Sequence, residues 1–213
     1  MNNDLASIDA QLIEYIEGEI IPRYRTFDKA HSESHARQVI TRSIALAQNF
    51  DTDAAMVYTI AAYHDLGLCE GRERHHIVSG EILTADTRLR QFFSEEQIAT
   101  MRKAVEDHRA SSDHSPRSIY GRIVAEADRL IDAETIVRRT IQYSLSHYPT
   151  LTTEGHFKRC VSHLHEKYGR NGYLRLWIEE SDNARRLEEL RQIIEQPQQL
   201  RLLFEQIYNE ESH

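Results

Sequence analysis

Apolar residues recur every three or four positions along nearly the whole chain, which is the period of an amphipathic helix. Leu5, Ile8, Leu12, Ile16 and Ile20 predict an opening helix that ends near Pro22, where the missing amide proton interrupts the ladder. A second helix is expected from about Glu33 to Asn49, with His35, Val39, Ile40, Ile44 and Ala47 turned inward. A third runs from Asp53 to about Leu66, capped by Asp53 or Thr52, carrying Met56, Val57, Ile60, Ala61 and His64 on its apolar face and breaking at Gly67. A shorter helix begins at His75 or His76 and continues through Ile82. Ser94 followed by Gln97 is a capping box, after which Ile98, Met101, Val105 and His108 keep helical spacing. Pro116 suits the first position of the next helix, where Ile123, Ala127 and Leu130 alternate with Val124, Asp128 and Ile131. Further helices are predicted from Ile136 to Leu145, Thr153 to Tyr168, Tyr173 to Ile194 and Leu200 to Ile207. No alternating β-branched run bounded by turns suggests a sheet, so the expected class is all-α.

The turn-like stretches at Asp113 to Pro116 and Ser146 to Thr153 are short, and nothing resembles a repeat or a Gly/Ser/Pro linker. The expected organisation is a single all-α domain over residues 1–213, with residues 149–213 as a C-terminal helical extension. A chain of 213 residues can bury a sizeable core. Its formal net charge of -8 argues against binding to a nucleic-acid scaffold, because phosphate backbones need a basic field. A small phosphorylated substrate is still allowed, since a few arginines can serve it. Cys69 and Cys160 are too few for a disulfide framework and read as reduced thiols. The N-terminus lacks the pattern of a secretory signal and no apolar run approaches membrane-spanning length, so the expectation is a cytoplasmic protein away from membranes. The apolar faces of the terminal helices would suit a homodimer.

Three separate apolar-patterned segments carry His35, the adjacent pair His64-Asp65, and Asp128. Two imidazoles and two carboxylates form a shell suited to a borderline divalent ion such as Mn²⁺, Fe²⁺, Co²⁺ or Ni²⁺ rather than to thiolate-bound zinc. Adjacent helical residues diverge by about 100°, so His64 and Asp65 can reach one ion only near a helix end. His35 and Asp128 both fall on apolar faces, where a bare carboxylate costs several kcal/mol unless it is paired or metal-bound. Each residue alone has an ordinary explanation: a histidine on an apolar face is commonly a hydrogen-bonded core residue, and Asp128 between Glu126 and Arg129 could belong to a solvated stripe. The ordered set carries the metal reading. His31, His147, His156, His163 and His165 read as structural.

That order, with its flanking words, resembles the HD superfamily of metal-dependent phosphohydrolases. Ser34-His35-Ala36-Arg37-Gln38-Val39 is similar to the family's first motif, Ala61-Ala62-Tyr63-His64-Asp65-Leu66-Gly67 to its signature, and Glu126-Ala127-Asp128-Arg129-Leu130 to its closing aspartate motif. The resemblance covers roughly residues 25 to 135 and implies an all-helical HD-type core with His35, His64, Asp65 and Asp128 around a first metal. It also makes His75, His76 and His108 candidates for a second metal or for binding phosphate. Spacing to the small residue Ser79 favours His75 over His76.

What the resemblance implies for activity is hydrolysis of a nucleotide or other small phosphate ester by a water that the metal activates. Asp65 would orient that water or take its proton, one or two divalent ions (Mn, Fe, Co, Ni or Mg) would serve as cofactor, and Arg109, Arg72 and Arg74 would steady phosphate. Two alternatives stay open: a mixed-valent di-iron oxygenase of the same superfamily, and a nucleotide-binding or signalling module without turnover.

Overall fold

In a computed structural model the structure describes residues 5–28, 31–112, 114–179 and 181–212. The start of the expected opening segment, residues 1–4, and the turn residue Asp113 lie outside the described residues. All regular structure among the described residues is helical, as the apolar period predicts. The chain divides into two compact units, Met1–Arg129 and Leu130–His213. The division falls ahead of the helix Ala133–His147.

The first unit holds six α-helices: α1 (Ala10–Tyr15), α2 (Glu33–Ala47), α3 (Ala54–Tyr63), α4 (His75–Ala85), α5 (Glu95–Glu106) and α6 (Ile119–Asp128). The opening segment is less regular than its spacing predicts. After α1 the turns loosen to a π-helix over Ile16–Ile20 and tighten to a 3₁₀-helix over Ile21–Thr26, with Pro22 inside the latter. The spacing of Leu12, Ile16, Ile20 and Ile21 is met, because all four are buried, although the helix type changes beneath them.

α2 packs on α3 and α6, α5 on α3, α4 and α6, and the 3₁₀ segment Leu66–Glu70 lies along α4. α3 is the central element, with every residue from Met56 to Tyr63 buried. Its start is fixed by Asp53, whose carboxylate accepts from the amides of Ala55 and Met56. α5 begins with the expected capping box between Ser94 and Gln97. α6 starts at Ile119 under a Ser118 cap, so Pro116 lies in the preceding loop and does not open the helix. A serine hydroxyl can accept the amide of Gly121, which proline cannot do.

The second unit contains α7 (Ala133–His147), α8 (Thr153–Tyr168), α9 (Asp182–Ile194) and α10 (Pro197–Glu211). Asp132 and Thr152 cap α7 and α8 through their side-chain oxygens. Its core includes Ile136, Ile141, Leu164, Leu187, Leu190, Leu200, Phe204 and Ile207. His156 is buried and hydrogen-bonded to Ser144 at 2.7 Å, so it fills a packing role. The predicted helix from Tyr173 is absent over residues 173–179 and starts only at Asp182. Leu174 and Ile178 are nevertheless buried, so an apolar i, i+4 pair is satisfied here by a chain without helical hydrogen bonds. No helix among the described residues is long and apolar enough to cross a membrane.

Candidate metal centre

Five helix ends of the first unit meet at one place. His35 lies in the first turn of α2, His64 caps the C-terminus of α3 and is followed by Asp65, His75 is the first residue of α4, His108 lies just beyond α5, and Asp128 is the last residue of α6. The signature pair converges because α3 stops earlier than expected, at Tyr63. His64 keeps helical backbone angles, but Asp65 turns to φ -110°, ψ 4°, which swings its carboxylate to the same side as the imidazole before it. Carbonyls exposed by this ending are taken up locally. Ala61 O accepts from His64 Nδ1 at 2.8 Å, and Ala62 O accepts from the Tyr24 hydroxyl at 3.0 Å. The same Tyr24 hydroxyl accepts from the Asp65 amide at 3.3 Å, pinning both sides of the break. No sequence motif singles out Tyr24; only its fully buried position after a proline marks it.

The cluster has two halves joined by one carboxylate. Asp65 Oδ2 lies 3.2 Å from His64 Nε2 and 3.6 Å from His35 Nε2, and Asp128 Oδ1 completes that half at 3.1 Å from His35 Nε2 and 3.8 Å from His64 Nε2. Asp65 Oδ1 faces the other way, 3.3 Å from His108 Nε2 and 3.6 Å from His75 Nε2. Each set, His35 with His64 and Asp65, and Asp65 with His75 and His108, places its donor atoms closely enough to hold a metal ion. His64, Asp65 and His108 are buried. The Asp128 side chain remains a quarter exposed. The solvated-stripe alternative for Asp128 does not apply, because Glu126 and Arg129 on either side of it are both buried.

Ring orientation follows from backbone chemistry. His64, His75 and His108 each direct Nδ1 at the carbonyl three residues earlier, on Ala61, Arg72 and Val105, at 2.8, 2.8 and 2.6 Å. A carbonyl only accepts, so each Nδ1 carries the proton and each neutral ring offers the Nε2 lone pair to the cluster. The consequence is that His75 Nε2 and His108 Nε2 stand 3.1 Å apart, and His35 Nε2 and His64 Nε2 3.3 Å apart. Two ring nitrogens this close need a proton or a metal cation between them. The residues therefore fit a divalent metal, which accepts imidazole nitrogen and carboxylate oxygen together.

His75 rather than His76 brings its ring into the second half. The reason is a close backbone approach. Gly67 N donates to Ser79 Oγ at 2.8 Å, and a Cβ on Gly67 would meet the His75 carbonyl at 2.1 Å and the Ser79 amide nitrogen at 2.6 Å. The chain after Asp65 is thus pressed against the first turn of α4. His76 points elsewhere, with its Nδ1 buried and without a hydrogen-bond partner among the described residues. Of the three arginine candidates, Arg109 donates to the Glu73 carbonyl at 2.7 Å and to Ser111 at 3.0 Å, while Arg72 and Arg74 lie exposed in the connector before α4. One outer support escaped the sequence reading: Asp107, buried beside His108, accepts from the Arg117 backbone amide at 2.7 Å and from its Nε at 2.8 Å, anchoring the loop after α5.

The titration behaviour of the cluster follows from burial and from its two carboxylates. Burial disfavours protonation of His35, but Asp128 and Asp65 outweigh it and hold the imidazole at about 9. Burial likewise opposes protonation of His108, and Asp65 overcomes it. Burial and the charge on His108 push His75 down to about 4. Asp128 stays well below the usual carboxylate range despite its burial, chiefly through His35. With no ion bound, His35 and His108 thus hold their protons more strongly than a free imidazole does. For His35 the folded value lies above the unfolded 6.5, so its contribution to stability is full below that pH and is lost as pH rises through about 9. A metal-free preparation is expected to melt at progressively lower temperature from neutral pH to about pH 9, whereas metal affinity should rise, because ligation displaces those protons. Thermal unfolding with and without chelator across this range checks both signs, and a metal-free melting temperature that climbs would contradict the assignment.

Residues 33–132 match the family model described as HD domain. No curated protein and no solved structure matches the chain. The matched span opens at the first residue of α2, closes just beyond α6 and encloses all six residues of the cluster. Through these residues, 33–132 are an HD domain, a domain of the metal-dependent phosphohydrolase type.

Proposed function

We propose that this protein is a metal-dependent phosphohydrolase acting on a nucleotide or another small phosphate ester. The observation that carries the reading is the pairing of Nε2 atoms on either side of Asp65, 3.3 Å apart in one half and 3.1 Å in the other. His35, His64, Asp65 and Asp128 would hold one divalent ion, and Asp65, His75 and His108 a second. When bound, such ions supply Lewis acidity toward phosphoryl oxygens and make water a competent nucleophile near neutral pH. Asp65 faces both halves and fixes their separation. It would orient the attacking water or take its proton, away from bulk solvent because it is buried.

Metal analysis of the purified protein, followed by a phosphate-release screen with Mn²⁺, Co²⁺ and Mg²⁺, tests this. The expected result is up to two ions per chain and release from small phosphate esters that stops on chelation. A chain that retains no divalent ion and releases no phosphate with any of the three would overturn it. A second reading, an oxygen-dependent di-iron enzyme, draws support from the second half, where two imidazoles beside a shared carboxylate form a donor set that iron accepts. Oxygen consumption by the iron-loaded protein, without phosphate release, would favour that alternative.

A further inference from the structure

The rim of the cluster is electrostatically lopsided. On the α2 side, cationic groups already have carboxylate partners: Arg25 pairs with Glu33 at 2.7 Å, Arg37 with Glu17 at 2.5 Å, and His31 with Asp28 at 2.8 Å. On the opposite side lies the connector of residues 70–74, and there Arg72, Arg74 and Arg109 have no carboxylate partner among the described residues. Glu70 and Glu73 share the connector without pairing to any of the three.

These guanidinia are tied to the second half of the cluster by covalent proximity and by hydrogen bonds. Arg72 supplies the carbonyl that fixes the His75 ring, Arg74 immediately precedes His75, and Arg109 follows His108. Arg109 Nη1 holds the Glu73 carbonyl, so the connector and the loop after α5 form one edge. Gly71, at φ 99°, gives the connector the backbone bend that an L side chain would resist.

A monoester presents a single phosphate, which ions at the cluster would neutralise without help. A phosphoanhydride carries further negative phosphates that must lie outside the ions, where planar guanidinia not neutralised by a carboxylate bind them by charge-assisted hydrogen bonds. We infer that Arg72, Arg74 and Arg109 form a subsite for the additional phosphates of a di- or polyphosphorylated substrate, running outward from the His75/His108 half. This rests on the phosphohydrolase reading above and narrows its substrate class from phosphate esters to phosphoanhydrides.

Binding can be read without turnover. Calorimetric titration of the metal-loaded protein with pyrophosphate and with orthophosphate, in excess Mg²⁺ so that neither anion strips the site, measures the preference directly. The wild type is expected to bind pyrophosphate about tenfold or more tightly over orthophosphate, the scale of one charge-assisted contact. In the Arg72→Ala/Arg74→Ala double variant that ratio should fall to near unity, and in Arg72→Lys/Arg74→Lys part of it should return. Both positions are exposed, so folding should survive, and circular dichroism confirms it. Equal affinity for the two anions in the wild type, or a ratio unchanged in the alanine variant, would overturn the subsite. If neither anion binds a metal-loaded protein, the subsite fails along with the phosphohydrolase reading; orthophosphate binding without a pyrophosphate preference sinks the subsite alone.

Discussion

Asp65→Ala is expected to empty both halves of the cluster and to bring phosphate release to background. Its two oxygens face opposite ways, Oδ2 toward His35 and His64 and Oδ1 toward His75 and His108, so one substitution removes a ligand from each ion. Loss of outer-shell partners alone costs about 10–100-fold in metal affinity, so loss of a shared ligand should exceed that. The carboxylate also favours the protonated forms of His35 and His108 in the metal-free protein, so both rings should lose their protons more readily in the variant. Replacement of His108 by alanine should behave differently, because it belongs to one half only and should release one ion while sparing the other. Elemental analysis of both variants after dialysis, beside phosphate-release assays, decides the matter. An Asp65→Ala protein with its full metal content and turnover would show that the carboxylate is not a bridge.

Gly67→Ala should be the most damaging of the glycine-to-alanine changes in the first unit. The new Cβ would sit 2.1 Å from the His75 carbonyl oxygen, 2.6 Å from the Ser79 amide nitrogen and 2.9 Å from Val78 Cβ. Two of these three are main-chain atoms of α4, so no rotamer change can relieve the contact and the helix must move. Overpacking usually costs about 1–3 kcal/mol, and a clash with backbone belongs at or above the upper end. The displaced element begins with His75, so the His75/His108 half should lose its ion before the other half does. Urea unfolding and metal stoichiometry measured together would show a lowered midpoint and loss of one ion. A variant with unchanged midpoint and two ions would mean that the chain can separate from α4 at no cost.

Much of this arrangement is legible in the sequence. The order of His35, His64-Asp65 and Asp128 on apolar faces is sufficient to nominate a metal cluster, because buried carboxylates demand a partner and only a few partners exist. Ser94 with Gln97, and Asp53, mark their helix starts because capping is local chemistry. What could not be read is chemistry between segments distant in sequence. The end of α3 at Tyr63 depends on Tyr24, which lies 38 positions before the carbonyl its hydroxyl binds. Gly67 reads as a helix breaker, yet α3 has already ended when the chain reaches it, and its function is to let α4 approach. Pro116 and Ser118 both carry start signals, and only the contact of Ser118 with Gly121 N decides between them. Leu174 and Ile178 show the opposite failure, in which helical spacing occurs without a helix.

Three of the four imidazoles take their orientation from carbonyls of their own chain, on Ala61, Arg72 and Val105. Such anchors survive any exchange of the side chains at those three positions, so long as the backbone path is kept. Sequence drift around the pocket should therefore alter which molecule is accepted sooner than it alters the capacity to grip an ion. Lengthening or shortening the chain near these bends would strike that capacity directly.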